Sequence, residues 1–157
     1  MPTVNQVADT AQSGDQIFYG GDRIGGKFSI FSIGMAILDP GPFNHTDIAL
    51  GGGKVAGSHP GMGVSRDGPD IRDMKDFPAY KGERAMRIQG NAAAGTKARA
   101  LVTDLKDSGF RYLSKETVFS NTGNATYCSQ FTGQVHQAAG QTGIYGKGPN
   151  TQYWYSK

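Results

Sequence analysis

Apolar and polar positions alternate along several short stretches of this chain and recur at helical spacing along two longer ones. Gln16-Ile17-Phe18-Tyr19 follows Gly14-Asp15 and stops at Gly20-Gly21, the pattern of a strand closed by a turn. Residues 45–50 (HTDIAL) and 54–58 (KVAGS) flank Gly51-Gly52-Gly53, which predicts a hairpin turning on the glycines. Residues 83–89 read as a further strand. Residues 92–107 carry good helix formers and end before Gly109, and residues 125–139 predict a second helix with Gly140 as its C-cap. A polar N-terminal arm, residues 1–13, has room for a short helix over residues 4–11. The apolar stretch 28–38 suits a buried helix or a pocket wall, and Pro40 and Pro42 stop it. Residues 60–80, rich in Gly, Pro and Asp, read as a long loop or broken strands. Residues 110–119 are mixed, and the loop-like tail ends in Tyr153-Trp154-Tyr155, a cluster suited to packing on the body or lining a groove. Together these elements predict one α+β domain over residues 1–157. Its core is an antiparallel sheet of about five strands with the two helices packed side by side.

Composition changes this picture little. With 37% hydrophobic and 18% charged residues the chain has the balance of a soluble globular protein. Its 24 glycines cluster without a fixed period, so they mark turns rather than a repeat. A net charge of +3 suits an anionic partner such as cell wall or lipid head groups. No run of Lys and Arg interleaves with aromatics, so no nucleic-acid partner is expected. The N-terminal residues show no basic stretch followed by an apolar run, and no signal peptide is expected. The longest apolar stretch is about half the length of a membrane helix, so no integral membrane segment is expected either.

The chain has one cysteine, Cys128, which excludes an intrachain disulfide and a multi-cysteine metal site. It stands in Thr126-Tyr127-Cys128-Ser129-Gln130-Phe131 at the opening of the second predicted helix. There the positive end of the helix dipole favours thiolate, the nucleophilic form. Three histidines are candidate bases for it. His136 lies eight residues further along the same helix, about 12 Å away on its axis, and reads as a helix-face residue. His45 opens the hairpin on the strand face it shares with Asp47 and Ala49. A three-residue glycine loop sets His59 opposite His45, and a two-residue loop sets Ser58 there. Either could fix the imidazole tautomer. No cofactor or metal is expected. Asp67, Asp70, Asp73 and Asp76 match no calcium loop and are offset by Arg66, Arg72 and Lys75, and a zinc shared by His45, His59 and Asp47 is a minor alternative.

Three segments taken together, residues 14–19 (GDQIFY), 44–55 (NHTDIALGGGKV) and 127–131 (YCSQF), resemble the circularly permuted NlpC-like branch of the papain-like hydrolases. In that branch the histidine strand precedes the cysteine helix, as here, and the resemblance spans residues 14 to about 140. It implies a papain-like fold in permuted order, with Cys128 as nucleophile and His45 as general base. The family's third polar residue sits on the strand after the hairpin, where Gly57 aligns; His59 on the same face is the substitute and Ser58 the reserve. Tyr19, at the end of the entering strand, is placed to support an oxyanion beside the Cys128 backbone N–H, whereas Tyr127 reads as packing.

The resemblance implies a cysteine peptidase or amidase working through an acyl-enzyme, with bacterial peptidoglycan stem peptides as the leading substrate class. A wall hydrolase lacking a signal peptide suggests an antibacterial effector, made in the cytoplasm, delivered to a target periplasm by a signal-independent route and accompanied by an inhibitor (immunity) protein. Two alternatives are carried. A thiol acyltransferase or lipid hydrolase of the lecithin–retinol acyltransferase type would use residues 28–38 for an acyl chain, but the Asn-Cys-Glu-His run of that branch is missing at Cys128. A degenerate binding module is suggested by Gly57 in the orienter's place.

Overall fold

A computed structural model describes residues 1–20, 43, 45–59, 68–77, 80, 83–112, 125, 126, 128–141, 152 and 153. The apolar stretch 28–38, residues 60–67 and most of the aromatic tail lie outside them.

The described chain is α+β. Strands β1 (Gln16–Gly20), β2 (His45–Gly51), β3 (Lys54–His59), β4 (Gly68–Asp73) and β5 (Arg84–Ile88) form one antiparallel sheet in the order β4-β3-β2-β1-β5. Helices α1 (Val4–Thr10), α2 (Ala92–Asp107) and α3 (Cys128–Ala138) pack against it, and β6 (Arg111–Tyr112) pairs in parallel with β7 (Ala125–Thr126). The side-chain alternation of the strands divides the core. Ile17, Tyr19, Ala49, Val55 and Ala85 pack with α1 and with Met74, Phe77 and Tyr80. Ile48 and Ala56, from the other face, pack with Ala94, Ala98 and Val102 of α2 and Phe131 and Val135 of α3.

Three departures from the sequence reading have local causes. The N-terminal arm is part of the core: Thr3 and Gln6 close a capping box, and α1 buries Val4, Val7 and Ala8. The stretch expected as a long loop or broken strands contains one strand, β4, which pairs with β3 from Lys54↔Asp73 to His59↔Gly68. Asp70 and Asp73 therefore lie on an edge strand, held by Lys106 and Lys54 rather than freely solvated. The second helix starts at Cys128, because Ala125 and Thr126 are spent on β7.

The glycine turn sets the register of the hairpin. Gly52 and Gly53 take φ of 61° and 77°, the left-handed pair that a tight hairpin requires. Gly51 (φ 85°) pairs with Lys54, and a bulge between Ala49 and Gly51 shifts the strands so that Ile48 faces Ala56. A two-residue turn plus a bulge thus gives the register expected of a three-residue loop. Continued outward, it sets Asp47 opposite Gly57 and His45 opposite His59.

Candidate active site

The hairpin delivers a histidine and a carboxylate from one strand. His45 and Asp47 are two residues apart on β2, so their side chains leave the same face. The His45 Nε2 atom lies 2.9 Å from Asp47 Oδ1, and both side chains are buried. Cys128, the first residue of α3, is also buried and lies near enough to the same imidazole for its charge to bear on it.

Space for the Asp47 carboxylate comes from Gly57. A Cβ built on Gly57 would lie 1.8 Å from Asp47 Oδ1, so no other residue at 57 leaves the carboxylate where it is. The family resemblance seeks its third polar residue at this point of β3. Here a carboxylate from the neighbouring strand fills the space that a side chain at 57 would take.

Tyr80 completes the carboxylate's surroundings. Its hydroxyl donates to Asp47 Oδ2 and lies 3.5 Å from His45 Nε2. The Tyr80 ring stacks on Tyr19, with centroids 4.5 Å apart and planes 6° from parallel. The Tyr19 hydroxyl is buried without a well-formed hydrogen bond among the described residues, beside Asp47 and Tyr80. Burial first, and then the Asp47 charge, hold both phenol protons in place, with acidities well weaker than usual.

The electrostatics of the pair follow from this packing. Burial alone would strip the proton from His45, but the Asp47 carboxylate and the Cys128 thiol outweigh it and raise its pKa from 6.5 to about 10. Burial alone would likewise protonate Asp47; the His45 charge, the Tyr80 hydrogen bond and the charge of Arg72 together keep it below the ordinary carboxylate range.

Of the residues singled out in the sequence, the structure brings Cys128, His45, His59 and Tyr19 together, but two take other positions than expected. The ring of His59 meets His45 edge-on at 4.9 Å, while the hydrogen bond to the His45 ring is made by Asp47. Tyr19 sits at the carboxylate, where its hydroxyl neighbours are Asp47 and Tyr80. Ser58 is buried on the strand's other face. His136 does not face solvent either: its Nε2 lies 2.7 Å from Gln16 Oε1 in a buried network described below.

Sequence reasoning missed the contact between Asp47 and His45, and missed Tyr80 altogether. The signal for Asp47 was its i+2 position from His45 combined with a glycine on the facing strand; Tyr80 carries no local signal, since only the packing of its segment brings it to Asp47. Among the described residues no group of three or more His, Cys, Asp or Glu is arranged to hold a metal ion, and no described helix is long and apolar enough to cross a membrane. Comparison with protein-family models, with curated proteins and with solved structures finds no match to this chain.

Proposed function

We propose that this protein is a cysteine hydrolase of the peptidase or amidase type, with Cys128 as nucleophile, His45 as general base and Asp47 as orienter. One observation carries the reading: a buried imidazole held at 2.9 Å by a buried carboxylate, with the chain's single cysteine buried near it at the start of α3. The proton of Cys128 passes to His45, and Asp47 stabilises the imidazolium that results. The thiolate adds to an amide carbonyl carbon. The tetrahedral intermediate collapses as His45 gives its proton to the departing amine, leaving a thioester on Cys128. A water molecule, deprotonated by His45, then attacks the thioester carbonyl, the C–S bond breaks, and the acid product and free thiol are restored.

The residues resemble the permuted NlpC-like pattern, which supports a papain-like fold in permuted order and peptidoglycan stem peptides as substrate. A degenerate binding module was suggested by Gly57, and the Asp47 carboxylate in the space beside that glycine supports the catalytic reading over it. We further propose an antibacterial effector that acts in a target periplasm and is neutralised by an immunity protein in the producing cell.

The test is alkylation of Cys128 by iodoacetamide at pH 6, where an ordinary thiol of pKa about 8.5 is nearly inert. Rapid alkylation that is lost in His45→Ala supports the pair, and equally slow alkylation in both proteins overturns it. Purified peptidoglycan then reports the bond: new amino and carboxyl ends in its stem peptides, absent with Cys128→Ala, are the expected result. Expression with and without a periplasmic signal tests the effector reading, which equal harmlessness in both compartments would sink.

A further inference from the structure

Activation of the proposed pair raises a problem of charge. His45, Asp47 and Cys128 are each no more than 3% exposed, so a thiolate, an imidazolium and a carboxylate would leave one net negative charge in the protein interior. A charge buried away from water without a counter-charge is strongly unfavourable. The sheet holds a candidate counter-charge two strands away from β2.

Arg72, on β4, is 5% exposed. Its Nη1 donates to the Gly57 carbonyl at 3.2 Å and its Nη2 to the Gly68 carbonyl at 3.0 Å. The guanidinium lies over the Phe77 ring, 5.1 Å from its centroid. Both hydrogen-bond acceptors are neutral, and among the described residues Arg72 makes no direct ion pair. Gly57 is also the residue whose missing side chain makes room for the Asp47 carboxylate. A buried cation and a buried anion therefore bracket the same glycine. The aromatic wall is shared as well: Phe77 meets His59 at 4.9 Å and Tyr80 at 5.1 Å, and Tyr80 donates to Asp47.

We infer that Arg72 is a positioning residue of this site: its guanidinium, seated on the carbonyl of the residue Asp47 packs against, supplies a second positive charge, beside that of His45, that favours the Asp47 carboxylate and so holds His45 in place. The inference rests on the hydrolase reading above. With Arg72 counted, the activated site has two positive and two negative groups and is neutral as a whole. The other groups facing Asp47 do not supply this second charge. His45 is the partner being charged, Tyr19 from β1 and Tyr80 are phenols that keep their protons, and His59 from β3 lies against His45. Cys128 on α3 contributes the new negative charge.

The test compares Arg72→Gln, which keeps a donor for the Gly57 carbonyl but no charge, with Arg72→Lys, which keeps the charge; Arg72→Met replaces the glutamine variant if that does not fold. Carbon-13 NMR follows titration of the Asp47 carboxyl, and iodoacetamide follows Cys128 at pH 6. The Asp47 midpoint should rise in Arg72→Gln and stay low in Arg72→Lys, with Cys128 alkylation falling about tenfold in the first and little in the second. An Asp47 midpoint that is the same in wild type and Arg72→Gln overturns the inference. So does equal loss of alkylation in the lysine and neutral variants, which marks Arg72 as packing alone. If the Asp47 midpoint moves but alkylation responds neither to Arg72→Gln nor to His45→Ala, the hydrolase reading has failed and the positioning role with it.

Discussion

At the scale of single residues, the site turns on an exchange between Asp47 and Gly57. An asparagine at 47 keeps the shape but can offer its amide to Nε2 in place of a carboxylate, leaving the imidazolium uncompensated. Asp47→Asn is therefore expected to lower turnover on the order of 10³–10⁴-fold with little change in fold, measured by amide hydrolysis beside thermal unfolding. Gly57→Ala should act through Asp47, because its Cβ would overlap Oδ1 at 1.8 Å. The expected cost is about 1–3 kcal/mol of stability, together with loss of Cys128 alkylation at pH 6. A double-mutant cycle checks the mechanism: in an Asp47→Ala background the alanine at 57 should cost almost nothing, and an undiminished cost there would trace the strain to another neighbour. The sequence made His45 and Cys128 legible, because a strand-opening histidine and a helix-opening cysteine announce themselves locally. Asp47 was visible on the same strand face as His45, yet its role depends on a register set by a bulge. Tyr80 reaches the carboxylate, and Arg72 the Gly57 carbonyl beside it, only through the pairing of β4 and the turn that follows it.

At the scale of elements, α3 must be held against the sheet for Cys128 to meet His45, and a buried polar network holds it. Gln16 on β1 donates to Thr46 on β2 at 3.0 Å and to Gln152 at 2.8 Å. His136 on α3 meets Gln16 Oε1, and Thr132, one turn earlier on the same helix, donates to Gln152 Oε1 at 2.7 Å. The Gln152 amide in turn donates to the Ser129 carbonyl in the first turn of α3. One glutamine, Gln152, thus fastens the helix that begins at Cys128 to two strands. Gln152→Leu leaves the Thr132 hydroxyl and the Ser129 carbonyl without this partner, at an expected cost of about 1–3 kcal/mol. Hydrogen exchange should show the loss concentrated in the amides of α3, whereas uniform loss across the sheet would show that the network is not specific to this helix. The helix itself was legible in the sequence, with its start displaced by β7. The network was not, because its members come from four separate segments.

At the scale of the whole molecule, two buried histidines make stability depend on pH in opposite senses. The pKa of His45 is raised from 6.5 to about 10, so the folded state binds its proton more tightly than the unfolded chain does. The stabilisation this gives is fully present below pH 6.5 and is lost as pH rises towards and through about 10. His136 is shifted the other way, lowered chiefly by burial, so the unfolded chain takes up its proton first as pH falls below 6.5 and stability drops on the acid side. Asp47, held low, adds to the acid-side loss only as pH falls below the ordinary carboxylate value of 3.8. The two histidines should therefore bracket a stability maximum near neutrality, the range in which the proposed thiolate–imidazolium pair operates. Thermal unfolding across pH 5–10, compared between wild type, His45→Gln and His136→Gln as difference curves, separates them from the other titrating groups. His45→Gln should flatten the alkaline decline between pH 6.5 and about 10 and leave the acid limb in place, while His136→Gln should relieve the loss below pH 6.5. An alkaline decline that survives unchanged in His45→Gln would mean that Asp47 does not hold a charged imidazole in the folded protein, and the proposed triad would lose its electrostatic basis.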